Sequence, residues 1–280
     1  MLDQQQISKF NRFATKIRIE TIREIASLGM GHIGGTMSLA EVLAVLYGGV
    51  MKIDPANPGW QDRDWLVVSK GHAGPAVYAT LALKGYFSME ELNTLNRPGT
   101  NLPSHCDRNR TIGIDITTGS LGQGASSAIG VALGNWLDGR DNYTYLILGD
   151  GECQEGQVWE AAMFAAQHKL NHLIAFIDYN QQQADGFTRD ISDLGDLAQK
   201  FADFGWFAQS VDGHDVAQIY EAIIKAKQQN EKPVLIVLNT VKGKGCGFAE
   251  GKSNNHSMPI TKEQMAEVVK GLENVLASLV

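Results

Sequence analysis

Two hydrophobic periodicities alternate along the chain. Ile7 to Leu28 carries Ile7, Phe10, Ile17 and Ile22 at helical intervals, until Gly29, Gly31, Gly34 and Gly35 break the pattern and leave His32 on a loop. Mostly apolar runs of strand length stand at Trp65–Ser69, Tyr145–Leu148, Leu173–Ile177 and Val234–Asn239, and Phe207–Val211, which carries Gln209 and Ser210, reads as a further strand. Helical spacing predicts helices from Pro75, over Ala125–Leu137, Glu155–Lys169, Leu194–Phe204 and Val216–Gln229, and from Thr261 through Val275. Ser38 followed by Glu41 reads as a capping box for a helix over Leu39–Tyr47, and Ser88 as the cap of one over Met89–Leu95. Glycine, proline and asparagine collect in Asp54–Pro58, Arg97–Ile116, Gln181–Gly195 and Lys242–His256, which are predicted loops. Strands separated by crossover helices pair in parallel. The pattern therefore predicts an α/β fold, a mostly parallel sheet with helices on both faces, in one domain over residues 1–280.

Composition narrows the partners. The net charge of −7 argues against nonspecific nucleic-acid binding. Cys106, Cys153 and Cys246 are odd in number and widely spaced, which suits reduced thiols in a cytoplasmic protein better than disulfides or zinc. The start, MLDQQQISKF, is polar and unlike a signal peptide. Leu39–Met51 is the most apolar stretch, but Glu41 and two glycines interrupt it and it is too short to span a bilayer. No membrane partner is expected.

The candidate chemistry sits at strand ends. Gly149-Asp150-Gly151 follows one apolar run and Asn180 follows the next. Ligands of open α/β sheets bind beyond the carboxyl ends of strands. A carboxylate, an amide oxygen and nearby carbonyls form an all-oxygen site for a hard cation, Mg²⁺ or Ca²⁺, that leaves room for phosphate oxygens. Glycines beside Asp150 allow close approach to the backbone. A structural turn and a loop asparagine would give the same residues. Thr117 to Gly124 is a glycine-rich loop opening a helix, which suits a diphosphate cradle; tight helix packing accounts for the same glycines. His32, His72, His105 and His256 all lie in glycine-, serine- or asparagine-rich loops, where a neutral imidazole can take a proton from a substrate hydroxyl and return it. No pair has the close spacing of a zinc site.

Gly149-Asp150-Gly151 with Asn180 resembles the thiamine diphosphate signature, although Gln181 stands where its second asparagine belongs. Gly149 to Gly156 resembles transketolases in particular. Gly31-His32-Ile33-Gly34-Gly35, Ser69 to His72, Pro103 to His105, Asn255 to Pro259, Thr117 to Gly124 and Asp212-Gly213-His214-Asp215 also resemble segments of that family, with Ile33 and Ser120 replacing prolines. The resemblance runs from about residue 10 to 260. It implies a thiamine diphosphate-binding fold in which Asp150, Asn180 and the Gln182 carbonyl ligate the metal. His72, Gly119, Ser120, Leu121, Gly149, Gly151 and Glu155 would contact the cofactor. His32, His105 and His256 would line the substrate channel, and Glu155 and Glu160 would sit at a dimer interface.

Transketolases are usually more than twice this long, and no residue here matches the glutamate that activates their aminopyrimidine. The resemblance therefore implies the N-terminal subunit of a split transketolase. A separate chain would supply the pyrimidine-binding and C-terminal domains in an α₂β₂ assembly acting on sugars or sugar phosphates, and this chain alone would be inert. The rivals are the N-terminal part of a deoxyxylulose-phosphate synthase and a noncatalytic thiamine diphosphate-binding regulator. A third, a nucleotide-binding α/β domain, is weakened by the lack of a Gly-x₄-Gly-Lys-[Ser/Thr] sequence.

Overall fold

The computed structural model describes residues 1–279. Five parallel strands form its sheet: β1 Trp65–Val68, β2 Thr144–Gly149, β3 Leu173–Tyr179, β4 Phe207–Asp212 and β5 Val234–Asn239, in the order β1-β2-β3-β5-β4. Alternate side chains enter different layers, as the two-residue repeat of a strand requires. Leu66, Val68, Tyr145, Ile147, Ile174, Phe176, Ile236 and Leu238 join one core; Val67, Leu146, Leu148, Ala175, Ile177, Leu235 and Val237 join the other. Both faces of β1, β2, β3 and β5 are covered, which is why these strands read as apolar runs; the edge strand β4 is only partly buried and carries Gln209 and Ser210.

The first core lies under α1 Gln4–Leu28, α2 Ala40–Val45, α3 Gly74–Leu83, α7 Val216–Gln228 and α8 Lys262–Ser278. The second lies under α4 Gln123–Leu137, α5 Gly156–Gln167 and α6 Leu197–Asp203. Both long terminal helices begin with capping boxes, Asp3 with Gln6 and Thr261 with Gln264. Gly29, at φ 87°, ends α1 in the left-handed conformation that glycine accepts most readily.

Three local expectations differ. Ser38 and Glu41 form no capping box: the Ser38 hydroxyl donates to Asp178 and Glu41 pairs with Arg18, so distant partners take both side chains. Ile33–Met37 is a separate short helix, and α2 widens into a π turn at Leu46–Val50. Met89–Thr94 is a 3₁₀ helix with no side-chain cap from Ser88. The stretch Ile33–Val50 is long and apolar enough by composition to cross a membrane, yet 83% of it is buried inside the fold in these short pieces. The predicted loop Gln181–Gly195 holds a small hairpin, Gln182–Gln183 with Gly186–Phe187.

Candidate active site

The carboxyl ends of the strands open into a cleft of about 320 Å³. β1 delivers Lys70 and His72, β2 delivers Gly149, Asp150 and Gly151, and β3 delivers Asn180 and Gln182. His32, from the turn after α1, meets His256 across a long separation in sequence. A two-residue antiparallel ladder, Gly31 with Met258 and Met30 with Pro259, ties their segments together. The Gly34 amide adds a hydrogen bond of 2.9 Å to the Asn255 carbonyl. A Cβ at Gly34 would lie 2.6 Å from that oxygen, so glycine is required for the approach.

The floor of the cleft is a buried polar network. Asp178 is fully buried, and its Oδ2 accepts from Lys70 Nζ at 2.5 Å, Ser38 Oγ at 2.7 Å and Asn180 Nδ2 at 2.9 Å, while Thr240 Oγ1 donates to Oδ1. Burial alone would raise the Asp178 carboxyl; the Lys70 charge and these donors outweigh it and hold it below the usual value. Glu152 is also gripped by donors, but there burial outweighs them and raises the carboxyl. Ser69 Oγ and the Gly122 amide donate to one oxygen at 2.5 and 2.8 Å, and the Gly149 amide to the other at 2.9 Å. The Gly122 amide at the start of α4 is thus already taken. Gly124 lies against Ser69, where a Cβ would come within 2.5 Å of the hydroxyl. Close packing accounts for part of the glycine-rich loop, and Gly119 and Leu121 are the parts of it that line the cleft. Ser120 is exposed and lies off the cleft wall.

The four histidines converge. The His32 ring centroid is 5.4 Å from that of His72, 5.5 Å from His105 and 5.4 Å from His256, and His72 and His256 are 4.8 Å apart. Burial pushes all four below the ordinary imidazole value. His105 adds to the effect at His32, Lys70 and the neighbouring imidazoles at His72, and Lys242 brings His256 down to about 4. All four are therefore neutral at physiological pH and available to accept hydrogen bonds or protons.

Asp150, Asn180 and Gln182 line the same wall. The Gly151 amide donates to Asp150 Oδ1 at 2.8 Å and the Gln181 amide to Oδ2 at 2.5 Å. Burial and the Asp178 charge push the Asp150 carboxyl up to about 7. Because Asn180 Nδ2 is bound to Asp178, its Oδ1 is fixed as an acceptor, and it takes the Gln182 amide at 3.1 Å. An all-oxygen set around a carboxylate strained by a neighbouring negative charge fits a hard divalent cation. Lys242 lines this side too, its Nζ 3.2 Å from the Gln183 carbonyl and 3.5 Å from His256 Nδ1. Burial and the Lys70 charge lower its ammonium to about 8. A second cation facing the acidic wall fits a diphosphate.

Asp178, Glu152, Lys70 and Lys242 are the site residues that sequence reasoning passes over. The signal for Asp178 and Lys70 is a charge at the carboxyl end of a buried strand run; Lys242 and Glu152 carry no such mark. Glu155 lines the cleft rim and is exposed. Glu160 is exposed on α5, beside an apolar groove containing Ile129, Leu133 and Phe164, with Trp136, Leu137 and Met163 among the exposed apolar residues of α4 and α5.

Residues 10–273 match the family described as "Transketolase, thiamine diphosphate binding domain". The chain is 56% identical over 272 residues to the 6-deoxy-6-sulfo-D-fructose transketolase subunit SqwG of Clostridium sp. (strain MSTE9), covering 97% of this chain and 98% of that protein. It is 35% identical over 274 residues to one subunit of the apulose-4-phosphate transketolase of Phocaeicola vulgatus, covering 98% and 97%. Transketolase of Homo sapiens is 35% identical, with 99% of this chain covering 44% of that protein. Among solved structures, the transketolase of Campylobacter jejuni superposes with a TM-score of 0.88 at 32% identity, over 99% of this chain and 43% of that one. The chain thus spans less than half the length of the one-chain transketolases and nearly all of the subunit-type relatives.

Proposed function

The chain belongs to the transketolase family, and from that premise we propose that it is the N-terminal, diphosphate-binding subunit of a two-chain transketolase whose donor is a ketose of the 6-deoxy-6-sulfo-D-fructose kind. The observation that carries the chemistry is the convergence of four neutral imidazoles with the Asp150–Asn180–Gln182 oxygen set in one cleft. The donor class rests on the end-to-end similarity to a subunit named for that sugar. Similarity over full length to named transketolase subunits favours this reading over a deoxyxylulose-phosphate synthase fragment or a noncatalytic regulator. The partner is a chain carrying the pyrimidine-binding and C-terminal domains, in an α₂β₂ assembly within the reducing cytoplasm. The exposed apolar surface of α4 and α5, with Glu155 and Glu160 beside it, suits burial in that assembly.

Asp150, Asn180 Oδ1 and the Gln182 carbonyl would hold Mg²⁺, with Ca²⁺ as a substitute. Lys242 and the backbone around Gly119 to Leu121, Gly149 and Gly151 would hold the diphosphate, with His72 and Glu155 lining the same cleft. Bound thiamine diphosphate would supply an electron sink at the ketose carbonyl. His32, His105 and His256 orient the donor hydroxyls. As the C2–C3 bond of the ketose breaks, one of these neutral imidazoles accepts the C3 hydroxyl proton; it returns that proton to the acceptor aldehyde oxygen when the new carbon–carbon bond forms. The sulfonate-bearing remainder leaves as an aldose two carbons shorter.

Co-expression with the partner chain tests this. The complex should bind thiamine diphosphate with Mg²⁺ and transfer two carbons from 6-deoxy-6-sulfo-D-fructose to an aldose phosphate. Its kcat/KM for that donor should exceed that for fructose 6-phosphate by about tenfold or more. A reversed preference would remove the donor assignment. Turnover by this chain without a partner would remove the two-chain reading.

A further inference from the structure

The Asp212-Gly213-His214-Asp215 segment ends the edge strand β4 and takes no part in the chemistry above. Its imidazole is nevertheless engaged at both nitrogens. Nδ1 lies 3.1 Å from Glu41 Oε2, and Arg18 grips the same carboxylate with two hydrogen bonds of 2.5 and 2.7 Å. Burial alone would raise the Glu41 carboxyl; the Arg18 charge and the hydrogen bonds from His214 and Arg18 hold it down at about 2. An ionised carboxylate only accepts, so Nδ1 carries the imidazole proton and Nε2 keeps its lone pair. That lone pair accepts the Val241 main-chain N–H at 2.9 Å.

Val241 begins the loop that brings Lys242 and His256 to the cleft. Arg18 grips the same loop again, its Nε donating to the Lys244 carbonyl at 3.0 Å. The Gly243 amide donates to the Gly34 carbonyl at 2.9 Å. Asn255 Nδ2 closes the loop on itself, donating to the Lys242 carbonyl at 3.2 Å and the Ala249 carbonyl at 2.8 Å. The turn before His214 is pressed into this loop, because a Cβ at Gly213 would lie 2.4 Å from Thr240 Cγ2. The chain of contacts Arg18–Glu41–His214–Val241 therefore connects α1 and α2 to the cation that faces the diphosphate side of the cleft.

We propose that His214 is a positioning residue: by accepting the Val241 amide it fixes the loop from Val241 to His256 and so sets the affinity of the cleft for its diphosphate-bearing cofactor. The cofactor half of this inference rests on the function proposed above, whereas the loop half rests on geometry alone. Two substitutions separate the two nitrogens. H214N keeps a donor near Glu41 and lacks the acceptor for Val241; H214Q keeps an acceptor where Nε2 stands and lacks the Nδ1 donor.

Hydrogen–deuterium exchange on the full chain should show the Val241 amide exchanging faster in H214N and near the wild-type rate in H214Q. In the reconstituted two-chain enzyme, titration with thiamine diphosphate and Mg²⁺, followed by tryptophan fluorescence, should give about a tenfold higher Kd for H214N, with kcat at saturating cofactor within about twofold. H214Q should bind close to wild type. Unchanged Val241 exchange and unchanged Kd in H214N would overturn the proposal, as would an equal loss of affinity in both variants accompanied by an equal fall in Tm. Should wild-type enzyme fail to bind thiamine diphosphate, the function proposed above fails, and the Val241 exchange rates still decide whether His214 positions the loop.

Discussion

Two buried carboxyl groups divide the molecule into a region built around charge and a region that suppresses it. Asp178, on the cleft floor, and Glu24, on the inner face of α1, are both fully buried. Asp178 has four side-chain donors, one of them the Lys70 ammonium. Among the described residues neither oxygen of Glu24 has a partner, and the neighbouring Thr21 hydroxyl has none either. Burial, with a smaller contribution from Glu20, pushes the Glu24 carboxyl well above the usual range, while Asp178 is held below it. Depth is the same at the two places, and the supply of donors decides which group keeps its charge. The cleft floor holds a charge on Asp178; on α1 burial pushes the Glu24 carboxyl toward its neutral form, with no partner for it among the described residues.

The comparison breaks most sharply at the cleft. Asp178→Asn leaves Lys70 charged, buried and without its counter-ion, and loss of one partner of such a pair costs about 3–5 kcal/mol. Urea denaturation of the chain should show that loss, and a change below about 1 kcal/mol would mean that the floor is not charge-organised. At Glu24 the sign reverses. Glu24→Met removes an unsatisfied polar group and fills similar volume, with an expected gain of about 1–3 kcal/mol at pH 8. The folded-state pKa is raised, so the folded chain binds the proton more tightly than the unfolded chain. The destabilisation that Glu24 causes therefore sets in above the unfolded carboxyl value and grows as pH rises toward the folded one. The gain from Glu24→Met should be smaller at pH 5 than at pH 8, and equal gains at both would show that Glu24 titrates normally.

Helix α4 offers a closer version of the same contrast, one residue type in two surroundings. At Gly124 an added Cβ would meet Ser69 Cα at 2.7 Å as well as its side chain, and Ser69 holds Glu152. At Gly134 nothing lies within 4 Å. Gly124→Ala should cost about 1–2 kcal/mol through overpacking, whereas Gly134→Ala should gain about 0.5–1 kcal/mol from helix propensity. Thermal unfolding of the pair decides whether the glycine-rich loop is there for packing, since opposite signs follow only if the Ser69 contact is as tight as described.

Much of this was legible in the chain. Four of the five strands carry apolar runs, the exception being the half-exposed edge strand β4, and each main helix shows its apolar spacing, because parallel strands covered on both faces and helices with one covered face leave those patterns. The four loop histidines and the Asp150–Asn180 pair reach one cleft, as their places after strands and glycines suggest. The misreadings share a cause. Ser38 and Glu41 have the spacing of a capping box, but Asp178 and Arg18 reach them from distant parts of the chain and offer stronger partners. Glu152 looks like an ordinary residue after a Gly-Asp-Gly turn; its value comes from Ser69 and the Gly122 amide, which only the tertiary fold brings near. Local spacing records what a residue could do with its neighbours and is silent about which distant donor arrives.

Gln181 tests that lesson at the smallest scale. It stands where the signature resembled by this chain has its second asparagine, and its φ is 62°, left-handed and unusual for glutamine. The conformation is imposed from both sides: its amide donates to Asp150 Oδ2, and its carbonyl accepts the Thr188 amide at 3.0 Å. For a side chain other than glycine that conformation costs roughly 1 kcal/mol or more, and for asparagine it costs less because the short amide tolerates the left-handed region. Gln181→Asn should therefore raise stability by about 0.5 kcal/mol without altering either main-chain contact. Asn96 is already asparagine at φ 53°, so Asn96→Gln should lose a similar amount in an exposed turn far from the cation wall. A gain at 181 matched by a loss at 96 would assign the cost to backbone conformation alone. A loss at 96 with no gain at 181 would mean that the glutamine side chain makes up the difference inside the site, which would explain its presence where the signature has asparagine.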